Sequence, residues 1–223
     1  MAAYDLAALW EAHCRYEFQT RDVDATMATM VAEPYVNHIP TMTGGIGFES
    51  LRDFYAHHFI GVNPPDFELL PVSRTVGESS LVDEFIVRFT HTTRMDWMLP
   101  GIEPTGRAVE IPTVAIVQFQ EDKLVHEHIY WDQASVLVQL GLLDPDGLPV
   151  AGAETAHKVL DVSLPSNTLM TPPRRTPGPP LRACGEYDWH GARTGAEMTT
   201  APMTAYAYDL IDQARTELDT VSE

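Results

Sequence analysis

The chain has 223 residues, of which 44% are hydrophobic, and this is enough apolar material for one well-packed domain with or without a tail. Its 32 acidic residues outnumber 14 basic ones and give a net charge of −18, so we expect it to bind neither nucleic acid nor an anionic membrane surface. The sequence has no apolar run of the roughly 18 residues that a membrane span needs, and we recognise no secretory signal in it. Its cysteines are Cys14 and Cys184. We therefore expect a cytoplasmic protein without a disulfide framework.

The N-terminal quarter has helical periodicity, with apolar residues at steps of three and four. In chain order the pattern predicts a helix over 4–20, a short Asp-capped helix that contains Met27, Met30 and Val31, a strand over 35–39, a glycine-rich turn over 43–47 and a helix over 48–60.

From residue 66 the period becomes alternating, which is typical of strands. The predicted strands are 67–76, 81–94, 107–120 and 123–131, followed by a helix over 133–140. Helices followed by strands with short connections indicate an α+β fold, in which helices pack on one face of a strongly bent antiparallel sheet. Such a sheet forms a cone whose interior can hold a ligand. This domain is expected to span residues 1–162.

Beyond residue 162 the composition changes, because 165–180 contains six prolines. We interpret 163–200 as a proline-rich arm or linker, and 201–223 as a possible C-terminal helix whose alternative is disorder.

The last predicted strand carries an unusual number of polar groups, in the segment His126-Glu-His-Ile-Tyr-Trp-Asp132. Leaving such groups buried and unpaired costs about 1–3 kcal/mol each, so they face either water or a pocket. Alternation divides them between two faces: His126, His128 and Tyr130 on one, and Glu127, Ile129 and Trp131 on the other. We favour His128 and Tyr130 as the residues that face the hollow.

Asp132 stands where the strand becomes a helix, and two interpretations remain open. A carboxylate at the mouth of an apolar pocket has a raised pKa and can act as a general base. An Asp directly before a helix is also a preferred N-cap, which contributes about 1 kcal/mol to stability.

His91 and His38 are further candidates for the site, because a neutral imidazole can orient or protonate a substrate; each is equally compatible with a hydrogen-bonded core position. Metal binding would require His126 and His128 together with a third ligand such as His91 or His38. We expect no metal, and no nucleotide cofactor, since phosphate-binding glycine motifs are absent from the sequence.

The strand-to-helix signature Glu127-His-Ile-Tyr-Trp-Asp132, the following Leu137-Val-Gln-Leu-Gly141, and the upstream Val36-Asn-His38, Gly44-Gly-Ile-Gly47 and Leu51-Arg-Asp-Phe54 resemble the SnoaL-like polyketide cyclase family. The resemblance covers residues 4–143. It implies the nuclear transport factor 2-like cone, a half barrel of the cystatin-like type. It also implies cofactor-free chemistry in which an aspartate, matched by Asp132, abstracts a proton next to a carbonyl and a histidine assists. His91 and His128 are candidates for that histidine by placement only.

The sequence therefore predicts a cofactor-independent cyclase or isomerase that acts on a small apolar carbonyl or ester compound. The residues expected at the site are Asp132 as the base, with His91, His128, Tyr130, His38 and Glu127 around it, and Trp10, Phe54, Phe85, Phe89, Trp97 and Trp131 as the apolar wall. A homodimer is the expected assembly. Two other classes remain open: a non-catalytic binding or dimerisation module, and a hydrolase in which Asp132 and Glu127 or Asp83 activate water.

Overall fold

A computed structural model describes residues 4–170 of the chain. The helices are α1 (Leu6–Cys14), α2 (Val23–Ala28), α3 (Phe48–Phe54), α4 (Gln133–Gln139) and α5 (Glu154–Leu160). The strands are β1 (Met30–His38), β2 (Thr43–Ile46), β3 (Glu68–Val76), β4 (Ser80–Thr90), β5 (Ala108–Gln120) and β6 (Lys123–Trp131). The expected arm beyond residue 170 and the expected helix over 201–223 lie outside the described residues.

The six strands form one curved sheet in the order β2-β1-β6-β5-β4-β3. Four of the five pairings are antiparallel, but β1 runs parallel to β6, so the prediction of a wholly antiparallel sheet is wrong at this pair. Register shifts interrupt the β1–β6, β3–β4 and β5–β6 pairings. Such irregularities bend strands and increase their twist, which is how the sheet acquires a concave face.

The N-terminal helices pack on this concave face, as the sequence predicts. Two of them end in π-helical segments, Arg15–Thr20 after α1 and Tyr55–Phe59 after α3. Trp10, Leu51 and Phe59 from these helical stretches belong to the same apolar core as the inward residues of the sheet. The α+β architecture is thus confirmed, and the core separates the helices from the strands.

The boundaries differ from the expected ones at four places. Met30 and Val31 begin β1 and do not extend α2, and the glycine turn at 43–47 is strand β2, because Gly44 and Gly45 pair with β1. Strand β4 ends at Thr90, four residues early. Helix α5 was not predicted. No helix among residues 4–170 is long and apolar enough to cross a membrane.

Candidate functional site

A cavity lies between the concave face of the sheet and the N-terminal helices. The space not occupied by protein atoms measures about 530 Å³, including the part that is open solvent. Its lining is mainly aromatic and aliphatic, with a few polar groups: Trp10, Cys14, Glu17, Phe18, Val36, His38, Tyr55, Phe59, Phe67, Leu69, Phe85, Val87, Trp97, Met98, Thr113, Ala115, Glu127, Ile129 and Trp131. A concave apolar space with a small number of convergent polar groups is the usual form of a small-molecule site.

The three cavity tryptophans present carbon surface to this space. Each indole N–H donates to a side chain outside the lining: Trp10 to Asp83 (2.8 Å), Trp97 to Asn63 (3.0 Å) and Trp131 to Gln133 (2.6 Å). Because buried indole N–H groups usually need an acceptor, these bonds fix the orientation of the rings. The indoles therefore form apolar walls and do not act as hydrogen-bond donors to a ligand.

One end of the cavity holds two buried carboxylates. Glu17, on the π-helical segment after α1, and Glu127, on β6, each place Oε1 next to Nε2 of His13, at 3.1 Å and 3.2 Å. The Tyr55 hydroxyl lies 3.4 Å from Oε1 of Glu127 and 3.5 Å from the same His13 nitrogen. All four side chains are almost fully buried. Both carboxylate side chains belong to the cavity lining, so a ligand in the cavity would meet them.

The hydrogen bond of Nδ1 shows which nitrogens of His13 carry a proton. The Thr29 hydroxyl gives its one proton to the Thr26 carbonyl oxygen at 2.6 Å, so it can only accept from Nδ1 of His13, also at 2.6 Å. Nδ1 therefore carries a proton. Nε2 faces two carboxylate oxygens, and this arrangement is favourable when Nε2 is protonated as well.

Burial and charge oppose each other in this cluster. Burial disfavours the imidazolium, but attraction to Glu17 and Glu127 outweighs it and raises the pKa of His13 to about 10. Burial raises the pKa of Glu17, and His13 opposes that rise. Burial also raises the pKa of Tyr55 well above its usual value, so its hydroxyl stays protonated. At neutral pH the cluster holds a cationic His13 and at least one anionic carboxylate, beside a neutral phenol.

His38 is buried in the aromatic part of the cavity, in contact with Phe54, Phe59, Trp97 and Trp131. Burial lowers its pKa to about 4, so the ring is neutral at pH 7. Its Nδ1 lies 3.2 Å from the Thr43 carbonyl oxygen, which can only accept a hydrogen bond. The proton therefore sits on Nδ1, and Nε2 is an acceptor. His38 thus lines the cavity, but as an acceptor its Nε2 cannot stabilise a developing oxyanion.

The two faces of β6 are the reverse of the favoured assignment. Glu127, Ile129 and Trp131 face the cavity, whereas His128 and Tyr130 lie on the outer face of the sheet, where Tyr130 is 41% exposed. On that face His126 and His128 stack at 4.7 Å, and burial lowers the pKa of both rings. Strand alternation allowed either assignment, and the large apolar side chains of Ile129 and Trp131 determine which face is covered.

Asp132 does not reach the cavity. Its side chain is exposed, and Oδ1 accepts from the backbone N–H of Ala134 at 2.9 Å, as an N-cap of α4 does. The cap interpretation is thus confirmed. The placement of Asp132 as a base that meets a ligand in the hollow is not supported, because its carboxylate is directed to the helix end.

The remaining predicted residues divide between lining and core. Trp10, Phe85, Trp97 and Trp131 line the cavity, whereas Phe54 and Phe89 are buried in the surrounding core. His91 is fully buried and is not part of the cavity lining, and its Nδ1 lies 3.3 Å from the Thr105 hydroxyl. Its Nε2 has no hydrogen-bond partner among residues 4–170, and burial lowers its pKa.

Three residues of the cluster were absent from the predicted site: His13, Glu17 and Tyr55. A signal was present, because Trp10, His13 and Glu17 continue one helical stripe at steps of three and four. A carboxylate on a stripe that otherwise carries apolar residues needs a buried partner. The partner, Glu127 with its neighbouring Tyr55, comes from distant parts of the chain and could not be identified from spacing.

The same cluster is also the group of side chains in residues 4–170 with the geometry of metal ligands. Ligand atoms of His13, Glu17 and Glu127 all lie within 4.8 Å of one another. One imidazole and two carboxylates suit a divalent transition metal, and the hydrogen bond from Nδ1 to Thr29 is the kind that orients a ligating histidine. A metal ion would have to displace the proton that we place on Nε2.

Fold and site together define a class of protein: an α+β cone with an aromatic cavity and a buried cluster of two carboxylates, a histidine and a tyrosine. The family model of SnoaL-like polyketide cyclase matches residues 10–140. The chain therefore belongs to the SnoaL-like polyketide cyclase family, as the sequence signature indicates.

Several solved structures are similar to this chain. They include a putative SnoaL-like polyketide cyclase from Jannaschia sp. CCS1 (17% identity, 65% of this chain and 99% of that chain, TM-score 0.48). A putative polyketide cyclase from Xanthomonas campestris pv. campestris is 15% identical over 60% of this chain and 95% of its own, with a TM-score of 0.47. An NTF-2 like protein of unknown function from Burkholderia xenovorans LB400 is 19% identical over 56% and 81%, with a TM-score of 0.41. A search of curated proteins gave no match.

Proposed function

We propose that the protein is a cofactor-independent acid–base enzyme that cyclises or isomerises a small apolar carbonyl or ester compound of the polyketide type. The observation that carries this proposal is the pair of buried carboxylates, Glu17 and Glu127, which line an aromatic cavity. A carboxylate that lines an apolar cavity can act as a general base on a ligand bound there. In this proposal Glu127 replaces Asp132 as the base.

The chemistry begins with removal of a proton from the carbon next to the substrate carbonyl. The C–H bond breaks, the proton moves to Oε2 of Glu127, and the electron pair forms an enolate whose oxygen bears the charge. The Tyr55 hydroxyl, which is protonated at neutral pH, can turn from Glu127 to donate to that oxygen. In a cyclase the enolate carbon then bonds to a second carbonyl carbon, the π electron pair of that C=O moves to its oxygen, and this oxygen takes the proton back from Glu127. In an isomerase the enolate takes the proton back from Glu127 at another carbon.

His13 is a positioning residue in this scheme, since its Nε2 contacts both carboxylates from behind the cavity wall. Its positive charge attracts both carboxylates and holds them close together. The apolar rings exclude water and hold the body of the substrate.

The test compares Glu127→Gln with Asp132→Asn on a panel of polyketide esters and lactones, with products followed by mass spectrometry. Glu127→Gln keeps the shape of the side chain, and we expect it to lower turnover by about 10²- to 10⁴-fold, which is the usual contribution of a general base. Asp132→Asn should retain turnover, because its carboxylate is an exposed cap. Loss of turnover in Asp132→Asn with normal turnover in Glu127→Gln would contradict the proposal.

Hydrolysis is a second candidate, because a convergent carboxylate pair can also activate water. The predicted partners Asp132 and Asp83 do not supply it: Asp132 caps α4, and Asp83 binds Trp10 and Arg74. Glu17 and Glu127 do converge. Incorporation of ¹⁸O from labelled water into a product would identify hydrolysis, and ligand binding without turnover of any panel member would favour the binding-module alternative.

We also propose a homodimer through the outer face of the sheet. Apolar side chains there are only partly covered, including Val114, Ile116 and the 41%-exposed Tyr130. Sedimentation of the wild type and of Tyr130→Asp tests this proposal. A dimeric wild type with a monomeric variant is the expected result, and a monomeric wild type would contradict it.

A further inference from the structure

The cavity lining contains acidic side chains but no lysine or arginine among the described residues. Its lining includes two carboxylates, Glu17 and Glu127, and a neutral imidazole, His38, whereas the lining residues in 4–170 include no Lys or Arg. The nearest cation to the carboxylates is His13, which stands behind the wall and contacts both through one nitrogen. With both carboxylates ionised, the cluster carries one uncompensated negative charge.

An isolated buried charge is costly, so the cluster must recover neutrality. It can take up a proton, or it can accept a positively charged group from the cavity, whose lining includes both carboxylates. The net charge of −18 adds a long-range attraction for small cations.

Aromatic side chains are prominent in the cavity lining that contains these carboxylates, among them Trp10, Phe18, Phe59, Trp97 and Trp131. The neutral His38 ring packs against Phe59, Trp97 and Trp131 in the same cavity. The faces of aromatic rings attract organic cations, including quaternary ammonium groups. The indole N–H groups, which would repel a cation, are bonded to acceptors outside the lining.

From this combination we propose that the cavity selects ligands bearing an ammonium group, either a protonated or a quaternary amine. The charge would lie against Glu17 and Glu127, with the apolar body between the aromatic walls. The inference rests on the site of the proposed function and narrows its substrate class: an apolar carbonyl compound that also carries an amine.

The test uses two probes of nearly identical shape, choline and 3,3-dimethylbutan-1-ol, which differ by the charge on the central atom. Binding of each to the full chain is measured by calorimetry at pH 7.5. We expect choline to bind at least tenfold more tightly, since a desolvated cation–aromatic contact and an ion pair both favour it. Equal affinities, tighter binding of the neutral alcohol, or no binding of either probe would overturn the proposal.

Substitutions of single carboxylates test which residues cause the preference for choline. Glu17→Gln and Glu127→Gln should each bring the affinity ratio of the two probes towards one, whereas Asp132→Asn removes an equal charge outside the cavity and should leave the ratio unchanged. If the affinity ratio fell equally in Asp132→Asn, the preference for choline would be due to the net charge of the protein, and the proposed binding site would be wrong. Equal probe affinities with a Glu127→Gln protein that loses turnover would refute charge selection while sustaining the acid–base function, so the two proposals fail separately.

Discussion

The pH dependence of stability tests whether the cavity keeps His38 neutral. The ring is buried and neutral, with its pKa lowered to about 4 by burial. In the unfolded chain a histidine has a pKa near 6.5. Between these two values the unfolded state binds a proton that the folded state does not, so folding stability falls as pH decreases through this window and levels off below it.

The size of the effect follows from the difference of about 2.5 pKa units. With about 1.4 kcal/mol per unit, His38 should cost the folded state about 2 kcal/mol at pH 5 and about 3 kcal/mol at pH 4, relative to pH 7. Replacement by phenylalanine removes the titrating group and keeps a ring among Phe54, Phe59 and Trp97.

The assay is urea unfolding of wild type and His38→Phe between pH 7 and pH 4. The variant loses the hydrogen bond to the Thr43 carbonyl, so we expect it to be less stable than the wild type at pH 7. The informative quantity is how the difference in free energy of unfolding between the two proteins changes with pH. We expect that difference to shift by about 2–3 kcal/mol in favour of the variant. Phe54→Leu is the control, since it alters the same packing without a titrating group. Parallel profiles for wild type and His38→Phe would refute the assignment of a neutral, buried His38.

Three further predictions concern other parts of the structure. Asp132→Ala should lower the free energy of unfolding by about 1 kcal/mol in urea titrations while turnover is retained, and an unchanged stability would contradict the cap. Thr29→Val should cost about 1–3 kcal/mol, because it leaves the Nδ1 proton of His13 without an acceptor; an unchanged stability would contradict the tautomer. Gly44→Ala should be far more destabilising than Gly101→Ala in thermal unfolding, since both have positive φ but a Cβ at Gly44 would lie 2.0 Å from a carbonyl oxygen of β1, whereas Gly101 has open space; equal losses would refute the clash.

The fold could be predicted largely from the sequence, because its signals are local. The change from helical to alternating periodicity near residue 66 marks the sheet, and the signature ending at Asp132 marks the last strand and its helix. The parallel pairing of β1 with β6 has no local signal, since it joins residues about 90 positions apart. Strand β2 was missed for a related reason: its glycines resemble a turn, and only contact with β1 makes them a strand.

The site was harder to predict from the sequence than the fold. Polar residues on β6 indicate a functional strand, but alternation gives two equal assignments, and the packing of Ile129 and Trp131 decides between them. Asp132 illustrates the opposite difficulty, because one residue type satisfies both the pattern of a cap and that of a base. The buried cluster depends on side chains from positions 13, 17, 55 and 127, and no spacing rule links them.

The two π-helical segments determine how tolerant the chain is to changes in length. Glu17 and Tyr55 both lie in these wider turns, Arg15–Thr20 and Tyr55–Phe59. A π turn accommodates one extra residue relative to an α-helix. Loss of a single residue just before Glu17 would rotate its side chain by about 100° around the helix axis, away from His13. In this protein, an insertion or deletion in either helix would therefore alter the cavity even if every amino acid of the cluster were kept.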